Sequence, residues 1–298
     1  MSVFGKIYAG CYQALLSCLD KYGLDEAYLG VMFRHRLGYR LNLKNPKTYN
    51  EKLQWLKLYD RNPKYTQYAD KILVRKHIAE TLGEAYLIPL LGVYKRAEDI
   101  DFTVLPDQFV IKCNHGAKMN IICKNKASLD LAETCETLNK WLGMEFYRLK
   151  REYHYRDIQH LILCEAYMQD GEDDELLDYK LFCIGGKVYM IQVDFDRSTH
   201  HTRNLYDPQW KLLDVEISFP RNPGKAIEPP AVLPQMIEFA QRLSHEFAQV
   251  RVDFYVINGR LYFGEMTFFS GAGFSKYTPR SFEVEMGRYL QLPNRERK

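Results

Sequence analysis

The stretch that most constrains this chain is Arg251-Val-Asp-Phe-Tyr-Val-Ile-Asn-Gly-Arg-Leu-Tyr-Phe-Gly-Glu-Met-Thr267. Its two halves alternate in polarity around Asn258-Gly259, the pattern of a β-hairpin. Loop length then decides which side chains share a face, because a slip of one residue turns a whole strand over. A two-residue Asn-Gly turn pairs Ile257 with Arg260 and sends Asp253 and Glu265 to opposite faces. A three-residue loop, with glycine in the left-handed position, pairs Val256 with Arg260 instead. That register collects Arg251, Asp253, Glu265 and Thr267 on one face, with Val252, Phe254, Val256, Tyr262 and Met266 on the other. An unpaired carboxylate in an apolar face is costly, so the sequence predicts the three-residue loop. Asp253 and Glu265 are then diagonal cross-strand neighbours, about 7–8 Å apart at the backbone. Such carboxylates can converge on one or two Mg²⁺ ions, which take few carboxylates plus phosphate oxygens. The competing reading is a solvated face with Arg251 paired to an acid.

A chain of 298 residues suits one large domain or two modest ones. With 46% hydrophobic and 27% charged residues it reads as folded and globular, and a formal charge of +3 gives no argument for nucleic acid as a partner. Seven cysteines form no Cys-x-x-Cys and are odd in number, so free thiols in a reducing cytoplasm are expected. Met1 to Leu19 is fairly apolar, but Lys6 interrupts it and it is too short and polar to serve as a signal or to span a membrane. A packing or docking helix is expected there, with weak attachment to the inner membrane face as the alternative.

Residues 1–40 carry helical spacing through Phe4, Tyr8, Tyr12, Leu15 and Leu19. Phe33-Arg-His-Arg-Leu-Gly-Tyr-Arg40 is either a solvated helix end or an anion-facing patch. Thr48 and Glu51 fit a capping box for a helix through Leu58. Another helix is expected to open at Asp70 and end near Gly83, with Lys71 and Arg75 on one face as ordinary surface charge. Short strands follow. Gln108 to Cys113 carries Lys112 and leads through the polar loop Asn114-His-Gly116 to a second strand ending at Cys123. A strand–glycine loop–strand unit can fold backbone amides over phosphates, although the P-loop pattern is absent.

Residues 128–150 read as an amphipathic helix, and Leu161 to Met168 as a strand whose Glu165 needs a partner. After an acidic loop, Asp170 to Glu175, comes a second hairpin: Leu177 to Ile184, Gly185-Gly186, then Lys187 to Phe195. Asp178 and Lys180 share a face there, as an exposed pair of small value. Asp196 to Asn204 is a polar, donor-rich loop of the kind that carries substrate contacts. His200 and His201 are adjacent and would point apart on a strand. A proline-rich connection, Pro220 to Pro234, leads to an amphipathic helix over 233–248, and Asn294 to Lys298 is expected to fray.

In order, the chain presents Lys112, the Asn114–Gly116 loop, Glu165, Asp178-Tyr-Lys180, Arg-x-Asp at 251–253, Glu-x-Thr at 265–267, and a glycine turn, Ser270-Gly-Ala-Gly273. This set resembles the ATP-grasp superfamily. With Tyr49-Asn-Glu-Lys-Leu-Gln-Trp55 and Ala69-Asp-Lys71, it looks like the TupA-like branch associated with teichuronopeptide and other bacterial surface-polysaccharide synthesis. The resemblance runs from about Asn45 to Gly287.

The resemblance implies an α+β ATP-grasp fold, two α+β subdomains clamping ATP beneath an N-terminal helical cap. The cap would span 1–88, the first subdomain 89–168 and the second, with the metal hairpin, 169–298. Lys71 and Lys112 would contact ATP phosphates, with Asn114, His115 and Gly116 closing over them. Glu165, Ala166 and Tyr167 would form an adenine hinge, and Lys180 a further nucleotide contact. Asp253, Glu265 and Thr267 would hold Mg²⁺; Arg251, with Lys112, would serve the transferring phosphoryl group. Thr267 departs from the asparagine that most ATP-grasp ligases carry there, which leaves the metal count at one or two.

The implied activity is ADP-forming carboxylate–amine ligation, through an acyl phosphate, on a surface-polysaccharide precursor. The partners would be small-molecule or glycan-precursor carboxylates and amines. From loop position and charge, the acceptor is expected near Arg197, His200, Arg203 and Asn204, with Arg34 and Arg36 as further candidates. The alternatives are a phosphotransferase on the same fold and a non-catalytic nucleotide-binding module.

Overall fold

A computed structural model describes residues 3–171, 176–197 and 199–294, with side chains from residue 9 onward. Most of the expected acidic loop (172–175), the tail at 295–298 and the side chains of Phe4 and Tyr8 lie outside the described residues.

The chain opens with α1 (Val3–Lys21) and α2 (Asp25–Leu37), joined through Gly23 at a left-handed φ of +64°. Tyr12, Leu16 and Leu19 pack α1 against Leu29, Met32 and Phe33 of α2. Gly38 ends α2 in the left-handed region, its N–H donating to Arg34 O. The expected capping box is present at α3 (Tyr49–Tyr59): Thr48 Oγ1 accepts from Glu51 N, and Glu51 accepts from Thr48 N. The helix expected to open at Asp70 opens three residues later, as α5 (Leu73–Thr81), and a short α4 (Lys64–Ala69) precedes it. Asp70 separates the two, its Oδ1 accepting from Ile72 N and Leu73 N, so Lys71 lies in the turn, outside the helix.

Two antiparallel sheets follow. The first, in the order β1-β4-β2-β3, comprises β1 (Leu90–Tyr94), β2 (Phe109–Cys113), β3 (Asn120–Cys123) and β4 (Ile162–Ala166). Its core holds Phe109, Ile111, Ile162 and Cys164 with Leu138 of α6 (Leu131–Leu142). The helix expected over 128–150 breaks at Gly143 into α6 and the short α7 (Phe146–Lys150). The second sheet runs β10-β9-β5-β6-β7. Its strands are β5 (Asp178–Ile184), β6 (Lys187–Phe195), β7 (Thr202–Tyr206), β9 (Gln249–Ile257) and β10 (Arg260–Thr267). A small pair, β8 (Glu216–Ile217) with β11 (Tyr277–Thr278), flanks it. Leu181, Ile191, Val252 and Phe254 share the main core with Met236, Phe239, Ala240 and Leu243 of α8 (Leu233–Ser244). Leu53 and Leu56 of α3 and Met286 of α9 (Arg280–Tyr289) close that core. All seven cysteines are free thiols, and burial pushes those of Cys113 and Cys164 up to about 12, so they are inert packing groups.

The key hairpin differs from its expected form. The turn has two residues: Ile257 pairs with Arg260, and Asn258 and Gly259 both take positive φ. Left there, Asp253 and Glu265 would face opposite ways. A bulge at Gly264 inserts one residue and shifts the pairing from Phe263↔Phe254 to Glu265↔Asp253. The two carboxylates are therefore directly opposite each other, closer than the diagonal relation expected. Tyr262, before the bulge, pairs with Tyr255 and lies on the carboxylate face, not on the core face assigned to it.

Candidate active site

The face that β9 and β10 present holds Arg251, Asp253, Glu265 and Thr267, as the alternation requires. Arg251 grips Asp253 with two bonds, Nε to Oδ1 at 2.7 Å and Nη2 to Oδ2 at 2.6 Å. The same Nη2 lies 3.1 Å from Glu265 Oε1, which also accepts from Thr267 Oγ1 at 2.9 Å. Nη1 reaches Ser270 Oγ at 3.2 Å, so the glycine turn after β10 abuts the site. Burial works against ionisation of Glu265, yet Lys71 and Arg251 outweigh it and hold its carboxyl down to about 2. Burial pushes Asp253 the other way, with the neighbouring Asp178 adding to it against the pull of Arg251.

Both carboxylates thus already close on one cationic nitrogen. The donor set is two carboxylates and a hydroxyl, all oxygen, which fits a hard divalent cation. Asp253, Glu265 and Thr267 are the residues that would hold Mg²⁺ once the guanidinium gives way. Among the described residues no group of three or more His, Cys, Asp or Glu side chains could form a metal cage.

Along the same face, Lys180 pairs with Asp253 on one side and Gln192 on the other. It and Asp178 are buried, not the exposed pair expected. The ammonium bonds Asp178 and lies 3.3 Å from Asp194. Burial alone would raise Asp194, but Arg203 and Lys180 hold its carboxyl well below the usual range.

The residues placed in a polar loop divide. Residues 202–206 are strand β7, so Arg203 and Asn204 face opposite ways. Arg203 is committed to Asp194 (2.6 Å) and Ile217 O (2.8 Å). Asn204 lies on the core side, fully buried, and clamps the Asn222 backbone with both ends of its amide. Arg197 is half exposed, 3.3 Å from Asp178 Oδ2, and His200 is exposed. Of the two arginines on α2, Arg36 lies 5.3 Å over the ring of Phe274, just past the glycine turn, and Arg34 is exposed.

The other sheet supplies the remaining candidates. Lys112 reaches Glu165 Oε2 at 2.7 Å, while Arg75 takes Oε1 at 2.9 Å and Ile88 O at 2.7 Å. Arg75 is therefore an inward-facing group, not the surface charge expected, and Glu165 has the partner its burial demanded. Ala166 N donates to Pro89 O, and Tyr167 follows where the strand ends. Lys71 donates to Gly116 O at 2.6 Å; burial lowers its pKa while Glu265 raises it. Lys71 thus lies between the glycine loop of one sheet and the carboxylates of the other.

Within that loop the side chains turn inward. Asn114 Nδ2 donates to Asp70 Oδ1 and Gln159 O, both at 3.0 Å, and its Oδ1 accepts from Leu161 N. His115 stacks on His160 at 3.6 Å, and burial together with that ring drops its pKa to about 4. Loop contact with a phosphate would therefore come from backbone around Gly116 and from the exposed Ala117 and Lys118. Arg75, Asp178, Asp194 and Ser270 were not singled out by sequence as site residues. For Arg75 the i, i+4 spacing from Lys71 was the available signal.

A family model described as TupA-like ATPgrasp matches residues 51–291. Among solved structures, D-alanine–D-alanine ligase from Bacillus anthracis complexed with ATP is similar at 17% identity, covering 68% of this chain and 55% of that one, with a TM-score of 0.42. The Helicobacter pylori D-alanine–D-alanine ligase gives 19% identity over 80% and 62% of the two chains, with a TM-score of 0.38. Phosphoribosylamine–glycine ligase from Thermotoga maritima gives 12% over 68% and 48%, at 0.41. The chain spans a little over half the length of the first of these, at 55%. Among curated proteins none matches it.

Proposed function

The chain belongs to the TupA-like ATP-grasp family, and on that premise we propose that it is an ATP-dependent, ADP-forming carboxylate–amine ligase. Its product is an amide joining an amino compound to a sugar acid or amino acid of a surface-polysaccharide precursor. The observation that carries this reading is the convergence of Asp253 and Glu265 on one cationic nitrogen, with Lys71, bonded to the glycine loop, holding Glu265 ionised.

Phosphoryl transfer asks for positioning and for neutralisation of spread negative charge more than for a protein nucleophile. Lys71 and Lys112 would orient the phosphates between the two sheets, and Arg251 would turn from the carboxylates to the transferring group. Bound Mg²⁺ would neutralise phosphate oxygens at Asp253 and Glu265. A substrate carboxylate oxygen bonds to the γ-phosphorus as its bond to ADP breaks. The amine nitrogen then attacks the acyl carbon, inorganic phosphate leaves, and the amine's proton passes to solvent.

The test is ADP release from Mg-ATP with uronic acids and amino acids, offered separately and together, against Glu265→Ala. Release that needs both a carboxylate and an amine, and is lost in the variant, is the expected result. Release with a hydroxyl compound alone, leaving a phosphorylated product, makes the protein a phosphotransferase. Nucleotide binding by calorimetry without turnover, little changed by Asp253→Ala or Glu265→Ala, makes it a non-catalytic nucleotide-binding module.

A further inference from the structure

The family match begins at residue 51, so the α1–α2 hairpin lies outside it. The hairpin is nevertheless firmly seated. Arg151 bonds Asp20 and Asp25 at 2.7 Å each, and Tyr28 OH donates to Leu149 O. Phe33 packs 6.4 Å from Phe274, and both share a small core with Ala272 of the glycine turn. The hairpin's position therefore sets where the candidate active site stands relative to anything the hairpin touches.

Having packed Tyr12, Leu16 and Leu19 inward, α1 leaves a second apolar flank uncovered. Cys11, Leu15, Cys18 and Tyr22 follow one another at four, three and four residues, and Leu24 continues past the turn. Leu15 is 46% exposed, Tyr22 67% and Leu24 51%, which is more than the scattered single residue a surface normally shows. The segment that carries this flank is basic. Lys21, Arg34, Arg36, Arg40, Lys44 and Lys47 are exposed, while Asp20 and Asp25 are tied to Arg151 and Glu26 remains an exposed acid that accepts from Tyr59. The whole chain is formally only +3, so this end concentrates positive charge.

We infer that the hairpin docks on an anionic lipid bilayer, with the apolar flank of α1 in the headgroup boundary and the bases against lipid phosphates. An interfacial helix combines an apolar flank with basic neighbours in this way. Among the described residues no helix is long and apolar enough to cross a membrane, so α1 lies in the plane of the surface. A second copy of the chain is disfavoured as the occupant, because a two-fold contact here would bring the same bases together. Docking would hold at the bilayer surface the hairpin and, with it, the glycine turn against which it packs. The inference does not depend on which reaction the site performs.

The experiment is co-sedimentation of the full chain with phosphatidylcholine vesicles, with and without phosphatidylglycerol, alongside sedimentation velocity without lipid. Expected are pelleting with the anionic vesicles, release by salt, and little binding to phosphatidylcholine alone. Leu15→Glu, Tyr22→Glu and Arg34→Glu should each cut the partition coefficient about tenfold with an unchanged thermal midpoint. Gln13→Glu, on the polar flank of the same helix, should have little effect. No pelleting with anionic vesicles, equal pelleting with neutral ones, or variants that bind like the parent would overturn the inference. So would a concentration-dependent dimer that Leu15→Glu abolishes, which would make the flank a self-interface.

Discussion

A Cβ on Gly264 would stand 3.0 Å from Asp253 O and 3.2 Å from the Tyr255 ring, so a side chain there would crowd the bulge that brings the carboxylates together. Gly264→Ala should cost about 1–3 kcal/mol in chemical denaturation and weaken divalent-ion binding, since relieving the clash shifts Glu265 against Asp253. Arg251→Ala removes the cation that already occupies their convergence point. It is expected to bind Mn²⁺ without nucleotide about tenfold more tightly than the parent, read from the free-Mn²⁺ resonance, while losing ADP release. Two histidines make a separate, pH-linked prediction. His115 and His154 are buried, and burial lowers their pKa values from 6.5 to about 4 and about 3. As pH falls below 6.5 the unfolded chain takes up their protons and the folded chain does not, so folding stability drops. The slope should approach about 1.4 kcal/mol per pH unit for each histidine down to about pH 4. Urea unfolding between pH 6.5 and 4 measures it, and His154→Phe should remove about half of that slope.

At the scale of elements, α3 does more than close the core. Asn50, Gln54 and Lys57 lie along one face at four- and three-residue intervals, all essentially buried. Gln54 Nε2 donates to Ala272 O and Gly273 O, Lys57 Nζ to Ala272 O and Lys150 O, and Asn50 Nδ2 to Ser275 O. Gly271, Ala272 and Gly273 all have positive φ, a run the chain adopts only when its surroundings impose it. The three side chains supply that constraint by satisfying carbonyls the turn leaves unpaired, and burial lowers the Lys57 ammonium to about 7. Gln54→Leu should cost about 1–3 kcal/mol, because the buried Gly273 carbonyl loses its donor and Ala272 O keeps only Lys57. Hydrogen exchange should quicken at 270–275 and leave β2 and β4 unchanged; faster exchange everywhere would mean that Gln54 supports the whole fold instead.

At the scale of the molecule, the two sheets meet through Lys71, which touches Gly116 of one and is drawn by Glu265 of the other. A ligand bridging that seam stabilises the folded state by mass action, about 2.7 kcal/mol at a hundredfold excess over its dissociation constant. Mg-ADP should therefore raise the thermal midpoint of the parent protein. Lys71→Ala should lose most of that rise while keeping the unliganded midpoint, since the ammonium bonds a loop carbonyl, Gly116 O, rather than a group of either sheet. An equal rise in both proteins would place the nucleotide elsewhere.

Periodicity and turn chemistry are properties of chain neighbours, and they determined the hairpin, the α3 capping box, the Gly185-Gly186 turn and the shared face of Arg251, Asp253, Glu265 and Thr267. The alternation demanded that both carboxylates face one way, and the cost of burying one unpaired made that demand firm. How the register complied was not legible. The two-residue turn and the Gly264 bulge reach the same face as a three-residue loop, and local pattern does not separate them. The tertiary structure also decided that Arg75 meets Glu165 across 90 positions, that Asn114 spends its amide on Asp70, and that Asn204 turns to the core on β7. Each of these depends on which distant segment supplies the partner. A polar side chain leaving water takes the nearest complementary group, and the folded topology alone says which group that is.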